Sequence, residues 1–503
     1  MTLLTKMIEY QPQSVVTTLW ALLAAYLLGV FVYRVWFHPL AKYPGPFFAR
    51  FTDIYPMIAM FKMTRCYWQN DMIQKYGSPV RVSTNQLFFA DMRSWVDIYG
   101  QSSSPCLKEP GFYDQMTATG ATSVFNATSK VEHARVRRLL SHAFSLSALL
   151  KDEALVRRKV DELDRLVFEP AARLGQSVDI FGKMMCNFLD ISSHFSYGES
   201  FNSLSGRGDI SHADMDCFFV VIPVQAFLPF LRYVPIPRIQ EAYRSLGRLV
   251  RFVQKSVGNF QAEIEKQGDN FAKGTFLRNL IDARDVETGG SRLSFEDLVE
   301  NTIIFLLAGS DTTAITSMYL MWEVGRRPEV RKKLLEEIRS AFPNPDQMPN
   351  YEQASQLKYF NACIEETLRL WGPFNVGFPR VSPGKQIGGV FVPAGTVVAT
   401  VAYSTHRDPN YFPNPLEFVP ERWLDASSDM RAMAKPFGHG PRNCIGKHLA
   451  EIGLRLTLTR LYQLYDIEID SCMTEEMMRQ KDRGAAGPWA GKFVVVPKPA
   501  SKI

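Results

Sequence analysis

A long run of apolar positions opens the chain. Tyr10 to Tyr33 contains no charged residue, and its core from Val15 to Val32 is long enough, as a helix, to cross a bilayer. No small-x-small cleavage pattern follows, as a signal peptide would require; Arg34, His38, Lys42 and Arg50 come instead. The run therefore predicts a retained membrane anchor over residues 1–37, and the positive charges after it predict a cytosolic body. Pro39, Pro44, Gly45 and Pro46 predict a stiff hinge over 38–46, because proline fixes φ and drives the preceding residue towards extended geometry. Short strands are predicted at Val80–Val82, Leu87–Phe89 and Thr396–Val401. Most of the remaining body, 47–503, has helical spacing. Its clearest helix starts at Ser294-Phe295-Glu296-Asp297, with a carboxylate three residues after the serine, and runs to Gly325 before Pro328 stops it. Such a helix would be roughly 48 Å long. Phe227 to Pro235 is apolar, aromatic and poor in charge, which suits a second contact with a membrane surface; a buried helix connection is the alternative.

Composition narrows the class. With 503 residues, 46% of them hydrophobic and 21% charged, the chain can bury a large core, and no long linker or internal repeat divides it. Its cysteines (Cys66, Cys106, Cys186, Cys217, Cys363, Cys444 and Cys472) are odd in number and lack C-x-x-C spacing, so neither a disulfide framework nor a zinc site is indicated. The net charge of +6 is not organised as basic runs interleaved with aromatics, and nucleic acid is not an expected partner. Asn126-Ala127-Thr128 is formally a glycosylation sequon, but on a cytosolic body it would stay unmodified. The C-terminal Ser501-Lys502-Ile503 approaches the S-K-L peroxisomal address, with Ile in place of Leu; an N-terminal anchor would prevail over it during synthesis.

One cysteine stands apart. Phe437-Gly438-His439-Gly440-Pro441-Arg442-Asn443-Cys444-Ile445-Gly446 is a glycine-punctuated loop that delivers Cys444 immediately before an apolar-periodic helix running towards Leu464. The glycines permit close backbone approach, and the helix N-terminus favours an anionic sulfur. The loop fits F-x-x-G-x-R-x-C-x-G and so resembles the proximal haem-binding signature of the cytochrome P-450 family, in which a cysteine thiolate holds the iron. The resemblance extends from Pro44 to about Pro497. It implies a mainly α fold with a small β region, preceded here by one transmembrane helix, and haem b ligated by Cys444.

Other segments match in the right order. Ala308-Gly309-Ser310-Asp311-Thr312-Thr313 resembles the family's A-G-x-D-T segment, which faces the haem on the oxygen side. Gly309 within a helix costs about 1 kcal/mol relative to Ala, so a need for space or local distortion, such as a cleft admitting dioxygen, is expected there. Asp311 and Thr312 form an acid–alcohol pair: Thr312 can hydrogen-bond dioxygen or a water, and Asp311 can link it to solvent protons. The bland alternative is that Thr312 and Thr313 bond back to helix carbonyls. Glu366 and Arg369 lie one turn apart, and with Arg422 of Pro420-Glu421-Arg422-Trp423 they are, by resemblance, a structural triad supporting the proximal side. The resemblance also assigns Phe437 and the cationic or donor residues His133, Arg137, Arg380 and Arg442 to the haem and its propionates. His133 stands where many relatives carry Trp.

No Rossmann or flavin fingerprint appears, so electrons must come from another protein. The resemblance implies NADPH-cytochrome P-450 reductase, with cytochrome b5 as a further donor, and Arg135, Arg138 and Lys447 could steer such an acidic partner. By position, Phe112, Tyr113, Met116, Phe305, Ala308, Phe374, Val376, Phe378 and Trp489 would line the substrate pocket, which suggests a small apolar ligand. The wording around Gly377–Arg380 and Gly440–Lys447 is similar to filamentous-fungal microsomal members that tailor secondary metabolites. The expected activity is hydroxylation, epoxidation or desaturation of such an intermediate with dioxygen, at the endoplasmic reticulum membrane. A reductase-independent isomerase or dehydratase, and a non-catalytic haem sensor, stay open as alternatives.

Overall fold

The computed structural model describes residues 12–210, 212–282 and 293–500. The C-terminal tripeptide and the first part of the anchor run lie outside the described residues. An anchor helix spans Pro12–Val32 and continues as a wider turn over Tyr33–Phe37. Its stretch Val16–Phe37 has a mean hydropathy of 1.9 and no residue packed inside the protein. Lipid is the solvent that such a surface fits. The central helix, Phe295–Gly325, is also long and apolar enough to span a membrane, but 78% of its most apolar window is buried, which makes it core.

The proline-rich segment after the anchor is docked against the body. Leu40 and Tyr43 are buried in an apolar cluster with Leu87, Phe89 and Val398. The Pro44 carbonyl accepts the Arg81 N–H at 2.7 Å. Gly45 lies so close to the Arg81 carbonyl that a Cβ would overlap it. The anchor end is tied down as well: Arg34 donates to the Arg50 carbonyl and Arg50 to that of Val35, while Phe31 stacks on Phe51. Helical content dominates the body. A five-stranded sheet of β1 (Val80–Ser83), β2 (Gln86–Phe89), β3 (Leu107–Lys108), β4 (Arg380–Val381) and β5 (Val397–Thr400) runs in the order β1-β2-β5-β4-β3. Only the β2–β5 pairing is parallel, in register Gln86 with Val397.

The central helix begins as its sequence predicts. Ser294 accepts the Asp297 N–H, and Asp297 accepts the Ser294 N–H in return. It passes through the main core between a helix over Phe181–Tyr197 and the cysteine helix, Lys447–Leu464. Two glycines set these close packings. A Cβ on Gly453 would lie 2.9 Å from the Phe188 ring and 3.5 Å from Thr313 Cγ2. One on Gly309 would lie 2.5 Å from Ser192 Oγ. Between Phe227 and Pro235 a short 3-10 turn, Pro229–Tyr233, leaves Phe230 60% and Tyr233 82% exposed, so this segment is not a buried connection. Its neighbour Phe227 meets Phe61, whose own helix, Ile54–Phe61, exposes Ile54 and Ile58. Asn126 is buried, with its side chain bonded to Ser123 and the Ala121 carbonyl, which closes off the sequon.

Candidate active site

The cysteine loop is built by its glycines. Gly438 and Gly440 both have φ of +74°, where an L side chain is strained. Gly440 also packs against the Tyr99 carbonyl, leaving no room for a Cβ. The loop closes with Cys444 N–H donating to the Phe437 carbonyl at 2.9 Å. The Phe437 ring lies 5.8 Å from Lys447 Nζ. Both terminal nitrogens of Arg137 donate to Asn443, at 2.7 Å to its carbonyl and 2.6 Å to Oδ1. Arg137 thus fixes the backbone immediately before the cysteine. Burial pushes the Cys444 thiol up, while the Gly446 N–H and the Arg137 charge pull it down. A cationic metal would tip that balance fully to thiolate.

Cys444 and one turn of the central helix are both left exposed amid buried surroundings, and we read the space they share as one internal cleft. Next to Gly446 lie both Cys444 Sγ and Phe144, each 4.0 Å from where a Cβ would stand. Phe144 in turn meets Phe305 of the central helix edge-on at 5.6 Å. Along that helix nearly every residue is buried, yet Ala308 is exposed and Gly309 and Thr312 are partly so. Cys444 is likewise exposed. Thr312 Oγ1 donates back to the Ala308 carbonyl at 2.7 Å, so its oxygen is an available acceptor at the cleft wall. Asp311 is buried, with Ser310 Oγ 3.4 Å from its Oδ1.

Gly309 meets a need for space through helix packing. The space left by its missing side chain is filled by Ser192, whose hydroxyl donates to the Phe305 carbonyl at 2.9 Å. The direction its Cβ would take is therefore set by close helix packing.

At one edge of the cleft five basic side chains converge. Lys108, His133, Arg137, Arg380 and Arg442 act on one another electrostatically: burial and the surrounding cations push His133 down to about 3, lower Arg442 to about 10, and hold Lys108 well below the usual lysine range. Their hydrogen-bond partners are neutral. Lys108 donates to the Phe125 and Val124 carbonyls. Arg442 donates to the carbonyls of Ala127, Thr128 and Ser129, and Arg380 to the Tyr113 hydroxyl at 2.6 Å. Among the described residues, Lys108, Arg137, Arg380 and Arg442 make no ion pair with a carboxylate. Buried like charges without counter-ions are costly, and a ligand bearing two carboxylates would relieve them. Together with an accessible cysteine on a rigid loop, the cluster fits a haem with its propionates.

Lys108 was not anticipated from sequence. It sits in a two-residue strand with no motif around it, and a lone lysine reads as surface.

Several residues expected in the pocket have other neighbours. Phe305 belongs to a buried aromatic cluster with Phe144 and Phe276. Tyr113 is buried with its hydroxyl committed to Arg380. Trp489 lies just past the open end of the hairpin formed by Gln480–Asp482 and Ala486–Pro488, opposite its turn, its ring 5.9 Å from the Arg479 guanidinium and 5.5 Å from Lys481 Nζ. The same hairpin reaches the central helix through Gly487, where a Cβ would stand 3.3 Å from Ile315. Phe112, Met116, Phe374 and Val376 are packed or partly packed, and Phe374, Phe378 and Phe125 form a chain of half-buried rings.

Behind the cysteine loop, Glu366 and Arg369 are fully buried on the helix Lys358–Trp371. Glu366 accepts from Arg369 Nε and Nη2, Arg422 Nε, Trp423 Nε1 and the Val419 N–H, all between 2.7 and 3.0 Å. Arg369 donates its remaining hydrogens to the carbonyls of His406, Pro415 and Glu417. His406, also unanticipated, accepts the Lys435 N–H on Nε2 at 3.0 Å and faces the Arg369 carbonyl with Nδ1. Burial, Arg407 and Arg369 hold its imidazole down at about 3, so it stays neutral and ties the ion-pair helix to the start of the cysteine loop.

Comparison with known proteins gives a consistent pattern. A family profile described as Cytochrome P450 matches residues 90–496. The chain is 31% identical to the cytochrome P450 monooxygenase ORF9 of Penicillium roqueforti, over 88% of this chain and 86% of that protein. It is 31% identical to the cytochrome P450 monooxygenase BOT4 of Botryotinia fuckeliana, over 91% of this chain and 86% of that one. It is 30% identical to a trichothecene C-4 hydroxylase of Trichoderma arundinaceum, over 91% and 92% of the two chains.

Proposed function

This chain belongs to the cytochrome P450 family and is a monooxygenase, and from that premise we propose that it hydroxylates, epoxidises or desaturates a small apolar intermediate of secondary metabolism. The observation that carries this reading is the cleft onto which Cys444, Ala308 and Thr312 all open, with an uncompensated cation cluster at its edge. Cys444 would hold the haem iron, while Lys108, His133, Arg380 and Arg442 would hold the propionates. When bound, a thiolate-ligated haem supplies the redox chemistry that cleaves the O–O bond. Thr312 presents a hydroxyl oxygen to the cleft, and Asp311 beside it is a buried acid able to relay protons towards it. That intact pair favours oxygen chemistry over a reductase-independent isomerase or a sensor. The half-buried rings of Phe374 and Phe378 support an apolar substrate.

Electrons would come from NADPH through a flavoprotein reductase, with cytochrome b5 as a second donor. Lys447, beside the cysteine loop and half-exposed, is placed to meet an acidic partner. The exposed apolar anchor and the basic residues after it support a single-pass protein of the endoplasmic reticulum with a cytosolic catalytic domain. The exposed Phe230 and Tyr233 would rest on the same membrane.

The test is mass spectrometry of products formed by membranes carrying the protein and a reductase, supplied with candidate metabolites and labelled dioxygen. Gain of one labelled oxygen, or loss of two hydrogens, only in the presence of NADPH is the expected result. Product that forms equally well without NADPH would overturn the reading.

A further inference from the structure

Residues 114–129 contain no regular helix or strand and join a short helix, Pro110–Tyr113, to the His133 helix, Lys130–Ser141. An irregular segment of this length must find partners for its backbone groups outside a ladder. It finds them on a single turn of the central helix. Glu300, fully buried, accepts the N–H groups of Ala118 and Thr119 and the Thr119 hydroxyl, at 2.8 to 3.2 Å. Asn301 accepts the Val124 N–H at 3.0 Å and donates to the Thr122 carbonyl at 3.2 Å. Asp297 accepts the Thr122 N–H at 3.1 Å.

Positions 297, 300 and 301 share a helix face with Ile304, Ala308 and Thr312. The turn that grips the loop therefore continues directly towards Ala308 and Thr312, and the gripped loop is flanked by Met116 and Phe125. A buried carboxylate is a demanding choice for this task, since a Gln would offer two donors where only acceptors are useful. Its presence indicates that the loop must be held tightly.

We propose that Glu300, assisted by Asn301, is a positioning residue that fixes the 117–124 loop as a wall of the substrate chamber and thereby sets the enzyme's discrimination by substrate size. This rests on the reading of the cleft as that chamber. When the wall is firm, a bulky ligand meets preformed contacts; when it is loose, the ligand must also order the loop, which weakens binding. A ligand too small to reach the wall is unaffected.

The experiment uses the full-length haem-loaded protein, its Glu300→Gln variant, and Asn301→Ala as a second variant should the first not fold. Hydrogen exchange is followed over residues 116–125. Imidazole and 4-phenylimidazole are titrated by the change in the haem absorption spectrum. In Glu300→Gln, exchange is expected to rise about ten-fold at Ala118 to Thr122, with 4-phenylimidazole affinity falling about five-fold and imidazole affinity unchanged. Asn301→Ala should act in the same direction with a smaller effect. Unchanged exchange, or a parallel change for both azoles, overturns the proposal by making the contact a general fold stabiliser. A wild-type protein whose spectrum responds to neither azole overturns the chamber reading itself, while the exchange data still report whether the loop is clamped.

Discussion

Gly309→Ala is a substitution on which two physical arguments disagree in sign. Helix propensity alone predicts a gain of about 1 kcal/mol, because glycine in a helix interior loses more backbone entropy than alanine. The structure predicts a loss. The new Cβ would stand 2.5 Å from Ser192 Oγ and 3.0 Å from Ser192 Cβ. Rotation of the hydroxyl relieves the first contact only by breaking its 2.9 Å bond to the Phe305 carbonyl, worth about 1 kcal/mol. The second contact is with a Cβ and needs a backbone shift, and overpacking of this kind costs about 1–3 kcal/mol. The hydrogen-bond loss and the propensity gain roughly offset, so a net destabilisation of about 1–3 kcal/mol remains. Urea unfolding of the full-length protein measures it. Repeating the substitution in a Ser192→Gly background, which has neither the clash nor the hydrogen bond, should leave only the propensity gain, giving a coupling of roughly 2–4 kcal/mol between the two sites. A stabilised Gly309→Ala protein, or a loss of the same size in both backgrounds, would refute the packing argument.

Thr312→Ala is expected to retain haem while diverting NADPH electrons to released hydrogen peroxide; a ratio of product to NADPH consumed that matches the wild type would count against the proton-delivery role. Glu366→Gln leaves the fully buried Arg369 without its counter-charge, and should lower stability by about 3–5 kcal/mol, read as a reduced urea midpoint and poor haem retention; a change within experimental error would contradict it. His406 gives a pH signature. Its folded pKa of about 3 lies below its unfolded value, so its contribution is fully present above pH ~6.5 and is lost as pH falls towards 3. Stability should decline by about 2 kcal/mol between pH 6.5 and pH 5 from this group alone, and a His406→Gln protein should show a shallower pH dependence by that amount. Removal of residues 1–37 should release the protein from pelleted membranes while preserving the haem spectrum; persistent tight binding would assign the main attachment to the exposed Phe230 and Tyr233 region.

The features legible in the sequence are those whose partners lie close along the chain. The cysteine loop, the Ser294–Asp297 capping box and the Glu366–Arg369 pair are each contained in ten residues or fewer, and the structure reproduces their local geometry. Lys108, Ser192, Glu300 and His406 were not legible, because each acts through partners distant in sequence. Glu300 meets Ala118 across 182 positions, and no local pattern announces that contact. Side-chain direction is a separate matter from position along the chain. Phe305 is one turn from Ala308 yet its ring faces Phe144 and Phe276, since proximity along a helix does not specify which face a side chain occupies. The proline-rich segment illustrates the same limit: Pro39, Pro44 and Pro46 restrict the chain locally, but the burial of Leu40 and Tyr43 against the sheet depends on residues far downstream.

The central claim is that Cys444 binds the iron of a haem. X-ray absorption at the iron edge of the purified full-length protein tests it without any knowledge of substrate. One sulfur neighbour of the iron is predicted in the wild type, retained in Cys66→Ser and Cys186→Ser, and lost in Cys444→Ser. A wild-type spectrum without a sulfur neighbour, or one that survives Cys444→Ser, would contradict the account.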